Sequence, residues 1–439
     1  MKVFIETLGC PKNFNDSEVA SGILVDNNYI MTTNPEEADI IIVNTCGFIN
    51  DAKKESIDRI FEMAELKSKG KKLIVSGCLS QRYGSELYEE MPEVDGFIGV
   101  NEYERLPEIL NSIIDKSDRE IHVGQCNDKV LETYPRNLRE NPYSSTIKIA
   151  EGCNNICAYC IIPKIRGKFR SKREEDIIKE AKELADAGCK ELILIAQDVT
   201  FYGMDLYGEL RLPKLLKKLC QIDNIKWIRL MYCYEDRITD ELIDVMAEED
   251  KICNYIDIPI QHASDNVLKA MNRRSTSTSI DNTIKRLKLK IPDIHIRTTL
   301  IVGFPGETDE DYEELIDFVK REKFARLGVF SYSQEENTVA GEMENQIEDA
   351  IKAERLDGIM RRQLDISLEI NQKKIGQVFD VIVDYEDDDG SYVGRTRYDA
   401  PEIDNSVIFT SNKKLNPGDI IIVKIEDAFD YDLIGREVE

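Results

Sequence analysis

The chain has 439 residues, too many for a single hydrophobic core, and its 42% hydrophobic content is enough to fill two or three. Eleven cysteines scattered through a chain this long do not form a secreted disulfide framework, and no apolar run reaches the length of a membrane span. A net charge of −26 argues against a broad basic face for nucleic acid and favours basic partners; with no apolar leader, a reducing cytoplasm fits best.

Three near-continuous apolar runs open the chain, and each ends in a cysteine: 2–10, 38–46 and 71–78. Helical patterns over about 16–27 and 52–69 separate them, so strands alternate with helices as in a parallel sheet. In such a sheet the carboxyl ends of all strands share one edge, where ligands bind. Cys10, Cys46 and Cys78 are expected to meet there. One cysteine after a strand is usually a small buried hydrophobe, whereas three in one geometric role point to a metal centre. A strand over 95–100 and a helix over 103–114 complete a flavodoxin-like domain, 1–126. Residues 127–142, with Pro135 and Pro142, read as a linker, and Cys126 beside it as structural.

Next come Glu151-Gly152-Cys153, Cys157 and Tyr159-Cys160, three thiols within eight residues flanked by Gly, Asn and Pro. A four-iron four-sulfur cube normally takes four cysteines, so three would leave one iron open. A zinc site would call for a fourth ligand. From 143 to 371 six strand and helix patterns alternate, which predicts a partial (β/α)6 barrel whose chemistry sits at the carboxyl ends of its strands. Gln197-Asp198, Tyr232 and Gln261-His262 end strands there, and Arg297 begins the run into the fifth. The turn 301–308 enters a helix, with Thr308 and Asp311 spaced as a capping box. Cys189, Cys220, Cys233 and Cys253 have no ligand spacing and read as core thiols.

A long polar helix over 346–374 leaves the barrel, and short strand patterns follow at 378–385, 391–397, 407–410 and 420–427. They predict a small antiparallel β-barrel of OB-like kind over 372–439. Phosphate binding selects Lys and Arg, yet this segment holds 16 acidic and 8 basic residues. Its acidity suits a basic protein better than RNA.

The Cys-x3-Cys-x2-Cys spacing with Tyr159 before the last thiol resembles the radical S-adenosylmethionine superfamily. Thr7-Leu8-Gly9-Cys10-Pro11-Lys12-Asn13 with Asp16-Ser17-Glu18, Asn44-Thr45-Cys46-Gly47-Phe48 and Gly77-Cys78-Leu79 resemble the amino-terminal domain of the methylthiotransferases, and the last domain is similar to a TRAM domain. Cys-Pro-Lys-Asn resembles the members acting on a ribosomal protein, as does the run 399–404 after Gly394-Arg395; Phe14 and Asn15 depart from the family pattern. The resemblance implies two 4Fe-4S clusters, one on Cys153, Cys157 and Cys160 that chelates S-adenosyl-L-methionine and one on Cys10, Cys46 and Cys78 that carries sulfur. It places Gln197 at the cofactor's amino group and Tyr159 by its adenine, with Arg297 on the same cavity. The implied reaction adds a methylthio group to the β-carbon of an aspartate in small-subunit ribosomal protein S12, with a flavodoxin or ferredoxin as electron donor. RNA contact through the TRAM domain is open but disfavoured by its acidity. The alternatives are the same transfer to a tRNA adenosine, or a non-catalytic iron-sulfur electron-transfer protein.

Overall fold

In the computed structural model, which describes residues 1–67, 70–116, 118–126, 133–138 and 142–438, the opening apolar runs become strands of one sheet. In chain order the elements are β1 (Lys2–Thr7), α1 (Pro11–Asp26), β2 (Ile30–Met31), β3 (Ile40–Thr45), α2 (Asn50–Glu65), β4 (Lys72–Gly77), α3 (Cys78–Glu90), β5 (Gly96–Ile98), α4 (Leu106–Lys116) and β6 (Glu120–His122). The sheet order is β2-β1-β3-β4-β5-β6, and every pair is parallel. Central β3 is buried at all six positions, which is why it reads as an unbroken apolar run. Leu24 of α1 and Leu110 of α4 pack on one face, Ile60 of α2 and Leu87 of α3 on the other. Helix α1 starts earlier than its periodicity suggests because Pro11, whose fixed φ suits a first turn, occupies its amino-terminal position. Of the linker expected over 127–142, residues 127–132 and 139–141 lie outside the described residues.

The chain continues through β7 (Ser144–Lys148) into β8 (Ala150–Glu151), α5 (Ile162–Arg166) and β9 (Arg170–Ser171). It forms two compact units, the first drawn from Met1–Glu140, Lys148–Asp176 and Ser333–Gly341, the second from Asn141–Ile147, Ile177–Tyr332 and Glu342–Glu439. Within the first unit β8 and β9 pair antiparallel and close the base of the loop that holds the three clustered cysteines.

The second unit carries α6 (Glu174–Asp186), β10 (Glu191–Ile195), α7 (Met204–Tyr207), α8 (Leu212–Leu219), β11 (Trp227–Leu230), α9 (Asp240–Glu248), β12 (Ile252–Asp257), α10 (Asp265–Ala270), α11 (Ser277–Lys290), β13 (His295–Val302), α12 (Asp309–Glu322), β14 (Arg326–Ser331) and α13 (Asp349–Gln372). Its six-stranded sheet runs β7-β10-β11-β12-β13-β14 in sequence order and stays open, a partial barrel as the alternation predicts. Thr308 and Asp311 do form a capping box at the start of α12. Then β15 (Val378–Glu386), β16 (Tyr392–Thr396), β17 (Val407–Thr410), β18 (Ile420–Ala428) and β19 (Leu433–Glu437) close a small barrel. All its pairs are antiparallel but β17 with β19, which run parallel.

Inside this unit the small barrel is keyed to the large sheet by buried charge. Glu191, wholly buried at the start of β10, accepts from Arg229 Nε at 2.8 Å and from Arg395 NH1 at 3.0 Å. Arg395 also holds Asp384 at 2.9 Å, and Ile382 and Ala400 fill an apolar patch with Trp227, Met231 and Tyr255. Burial alone would raise the Glu191 carboxyl, but the guanidinium groups of Arg395 and Arg229 outweigh it and hold the group down to about 2.

Candidate metal centres

Three adjacent parallel strands deliver the first group of thiols. Cys10 follows β1 and caps α1, Cys46 follows β3, and Cys78 is the first residue of α3 directly after β4. Because β1, β3 and β4 are neighbours in register, with Thr7 opposite Asn44 and Thr45 opposite Gly77, the three cysteines come out at one sheet edge. The packing there leaves no room for side chains beside them. A Cβ on Gly9, whose φ is +90°, would lie 2.8 Å from Cys46 Cβ, and one on Gly47 would lie 2.8 Å from Leu79 Cα. Burial, and then the neighbouring Cys78, push the Cys46 thiol up to about 12; burial also raises Cys78. In water-poor surroundings these sulfurs keep their protons unless a metal replaces them.

Cys153, Cys157 and Cys160 sit in the loop closed by β8 and β9, all of them half-buried, and Ile156 among them is 71% exposed. Cys153 N donates to Gly167 O at 3.1 Å, tying the first thiol's backbone to the end of α5. The donor set is three soft sulfurs in each group. Among the described residues no three His, Cys, Asp or Glu side chains converge closely enough to share a single metal ion. Thiolates at about 2.3 Å around one zinc would stand within about 4 Å of each other, whereas a cube spreads its ligands over separate corners. Three soft sulfurs per group are the donor chemistry that suits an iron-sulfur cube lacking one protein ligand.

Both groups belong to the first unit, and within it Arg166, just beyond the clustered triad, reaches the sheet-edge triad. Arg166, two turns of chain beyond Cys160 on α5 and 3% exposed, donates through NH2 to Cys78 Sγ at 3.2 Å and to Asn13 Oδ1 at 2.8 Å. Its NH1 donates to Asp16 at 2.7 Å and Glu151 at 3.2 Å, and Lys148 Nζ pairs with the same two carboxylates. Asn13 is itself fixed by donating to Leu8 O at 2.9 Å and Thr45 O at 3.0 Å. Ile161 and Ile165 pack against Cys78 and Val100 around this polar knot. Residues 333–341, the last segment of this unit, are tied into it: Glu335 binds Lys53 and Arg82 at 2.8 Å each, Arg82 donates to Gly47 O at 3.0 Å, and Ala340 N donates to Ala158 O at 2.9 Å.

The other residues named from the sequence fall as follows. Tyr159 is half-buried in the triad loop, and Gln197 is half-buried just past β10. Tyr232 and Gln261, past the ends of β11 and β12, hold φ of 61° and 76°. Such left-handed backbone in residues other than glycine collects at functional sites. Arg297 is engaged inside the second unit, by Asp257 at 3.0 Å and Asp404 at 3.4 Å. Cys126 donates to Ile165 O at 3.0 Å and accepts from Asn101, a structural thiol's contacts. Cys189, Cys220, Cys233 and Cys253 are buried. The sequence does not show Asn13, Asp16, Glu151 and Arg166 as one constellation, although the first three lie within the motifs singled out above and Arg166 follows the last of them by six residues.

An open parallel barrel sheet whose first strand runs into a three-cysteine loop defines the radical S-adenosylmethionine class, and residues 147–319 match the Radical SAM superfamily. Residues 2–99 match Uncharacterized protein family UPF0004, and residues 375–438 match the TRAM domain. The "Ribosomal protein uS12 methylthiotransferase RimO" of Clostridioides difficile is 50% identical over 99% of this chain and 98% of its own. That of Desulforamulus reducens is 52% identical over 98% of each. The chain belongs to this family of uS12 methylthiotransferases, and it is a transferase of sulfur-containing groups. Among solved structures, the radical S-adenosylmethionine methyltransferase TsrM of Kitasatospora setae shares the fold at a TM-score of 0.57, with 14% identity over 77% of this chain and 76% of that one. The cobalamin-dependent radical enzyme OxsB does so at 0.51, with 12% identity over 83% of this chain and 57% of that one.

Proposed function

We propose that this enzyme adds a methylthio group to the β-carbon of an aspartate in ribosomal protein uS12, using two 4Fe-4S clusters. The observation that carries the reading is the presence, in one compact unit, of two separate groups of three cysteines, each short of the fourth ligand that closes a cube. Cys153, Cys157 and Cys160 would hold the cluster that binds S-adenosyl-L-methionine, and Cys10, Cys46 and Cys78 the one that holds sulfur. With these groups bound, the cofactor supplies the one-electron chemistry that opens an unactivated C–H bond and also the methyl group. The chain's own part is to hold the sulfurs, exclude water and present cofactor contacts, for which we assign Tyr159, Gln197 and Arg297, the last of them also paired with Asp257 and Asp404.

We read the sequence as three domains, 1–126, 143–371 and 372–439, with 127–142 between the first two. No described helix is long and apolar enough to cross a membrane, and we place the enzyme in the cytoplasm with a flavodoxin or ferredoxin as its reductant. The acidity of the last domain supports a basic protein substrate over tRNA. The test is anaerobic assay of the reconstituted enzyme on uS12 and on tRNA. Mass gain on the uS12 aspartate, without methylthio-adenosine in the tRNA, is the expected result; the reverse would replace the substrate.

A further inference from the structure

We propose that Arg166 is a positioning residue that sets the reduction potential of the amino-terminal cube by hydrogen-bonding its ligand Cys78. The inference rests on the two-cluster reading above. Its basis is geometry: the guanidinium NH2 stands 3.2 Å from Cys78 Sγ, in a site where Arg166 is 3% exposed. Three further acceptors, Asn13, Asp16 and Glu151, leave the planar fork one orientation. The surrounding charges are balanced, with Arg166 and Lys148 against Asp16 and Glu151. The knot can therefore stay buried while one donor points at sulfur.

When a cube accepts one electron its net charge falls by one, and no bond forms or breaks. A donor already aimed at a ligand sulfur stabilises that added charge, and the effect grows where water is excluded. Arg166 should therefore make the amino-terminal cube easier to reduce. Because Arg166 lies on the helix that follows Cys160, the loop of one triad tunes the other. A merely structural Arg166, tying α5 to α3, would leave the potential where it is.

The test uses the full chain carrying Cys153→Ala, Cys157→Ala and Cys160→Ala, in which only the amino-terminal cube can load. One-electron reduction by dithionite at poised potentials is followed by electron paramagnetic resonance, for this parent and for two derivatives. One adds Arg166→Lys; the other adds Arg166→Gln with Asp16→Asn, so that no lone charge is left buried. The expected result is a more negative midpoint in the double derivative and an intermediate one with Lys, at parental iron content. Equal midpoints overturn the proposal, as does loss of the cube from a folded double derivative, which would make Arg166 an assembly residue. Should the double derivative not fold, the Lys derivative decides alone, and an unmoved midpoint overturns it. A parent that binds no iron with Arg166 intact would instead defeat the two-cluster reading itself.

Discussion

Asp16 shows how much of this molecule rests on single buried charges. It is 3% exposed and accepts from both Arg166 and Lys148. Removing one partner of a buried ion pair leaves the other uncompensated, at a cost of about 3–5 kcal/mol. Asp16→Ala is therefore expected to lower the stability of the first unit by about 3 kcal/mol in urea unfolding of the metal-free chain, and Asp16→Asn by less. A change below about 0.5 kcal/mol, the level of an ordinary surface substitution, would contradict the assignment. Two buried histidines tie stability to pH. Burial holds His262 down to about 3, and burial with Lys374 and Arg326 does the same for His295. Their folded values lie below the unfolded value of 6.5, so the unfolded chain takes up protons first as pH falls. Stability is thus fully present above about pH 6.5 and lost on the way down towards pH 3, by up to about 1.4 kcal/mol per pH unit for each histidine. The urea midpoint should fall between pH 7 and pH 5, and fall less steeply in His295→Gln; parallel slopes would show that His295 is not buried neutral.

Among the elements, the strands ending in Cys10, Cys46 and Cys78 were legible because a strand buried on both faces must be apolar along its whole length, and a parallel sheet puts its carboxyl ends together. The open barrel was legible for the same reason. Strands β2, β6, β8 and β9, of two or three residues, were not, since so few residues establish no period, and β19 was not read from the sequence either. Nor was the knot around Arg166: its partners Cys78 and Asp16 lie 88 and 150 residues away, and Glu335 meets Lys53 across 282. Pairings at that separation depend on the assembled fold. The small barrel is docked through Glu191. Glu191→Ala strips Arg229 and Arg395 of their shared carboxylate and should destabilise the second unit by about 3–5 kcal/mol, seen as an earlier urea transition; Glu191→Gln should cost less. Acid should act alike, since the depressed Glu191 group contributes stability above its unfolded value of 4.5 and loses it as pH falls towards 2. At the sheet edge, Gly47→Ala drives a methyl into the backbone of Leu79 at 2.8 Å, and iron retention by the amino-terminal group should drop while the barrel group keeps its metal.

For the whole molecule, charge and cluster count carry the account. The segment from 372 to the end has twice as many acidic as basic residues, so affinity for a basic ribosomal protein should weaken as salt rises, and affinity for tRNA should be slight at any salt. The central claim is that one chain holds two cubes on two independent cysteine triads. The most direct measurement is iron and acid-labile sulfide per chain after anaerobic reconstitution, for the intact protein and for variants in which either triad is changed to alanine. We expect about eight irons in the intact chain and about four in each triple variant. An intact chain with about four irons, or a triad whose removal costs no iron, would contradict it.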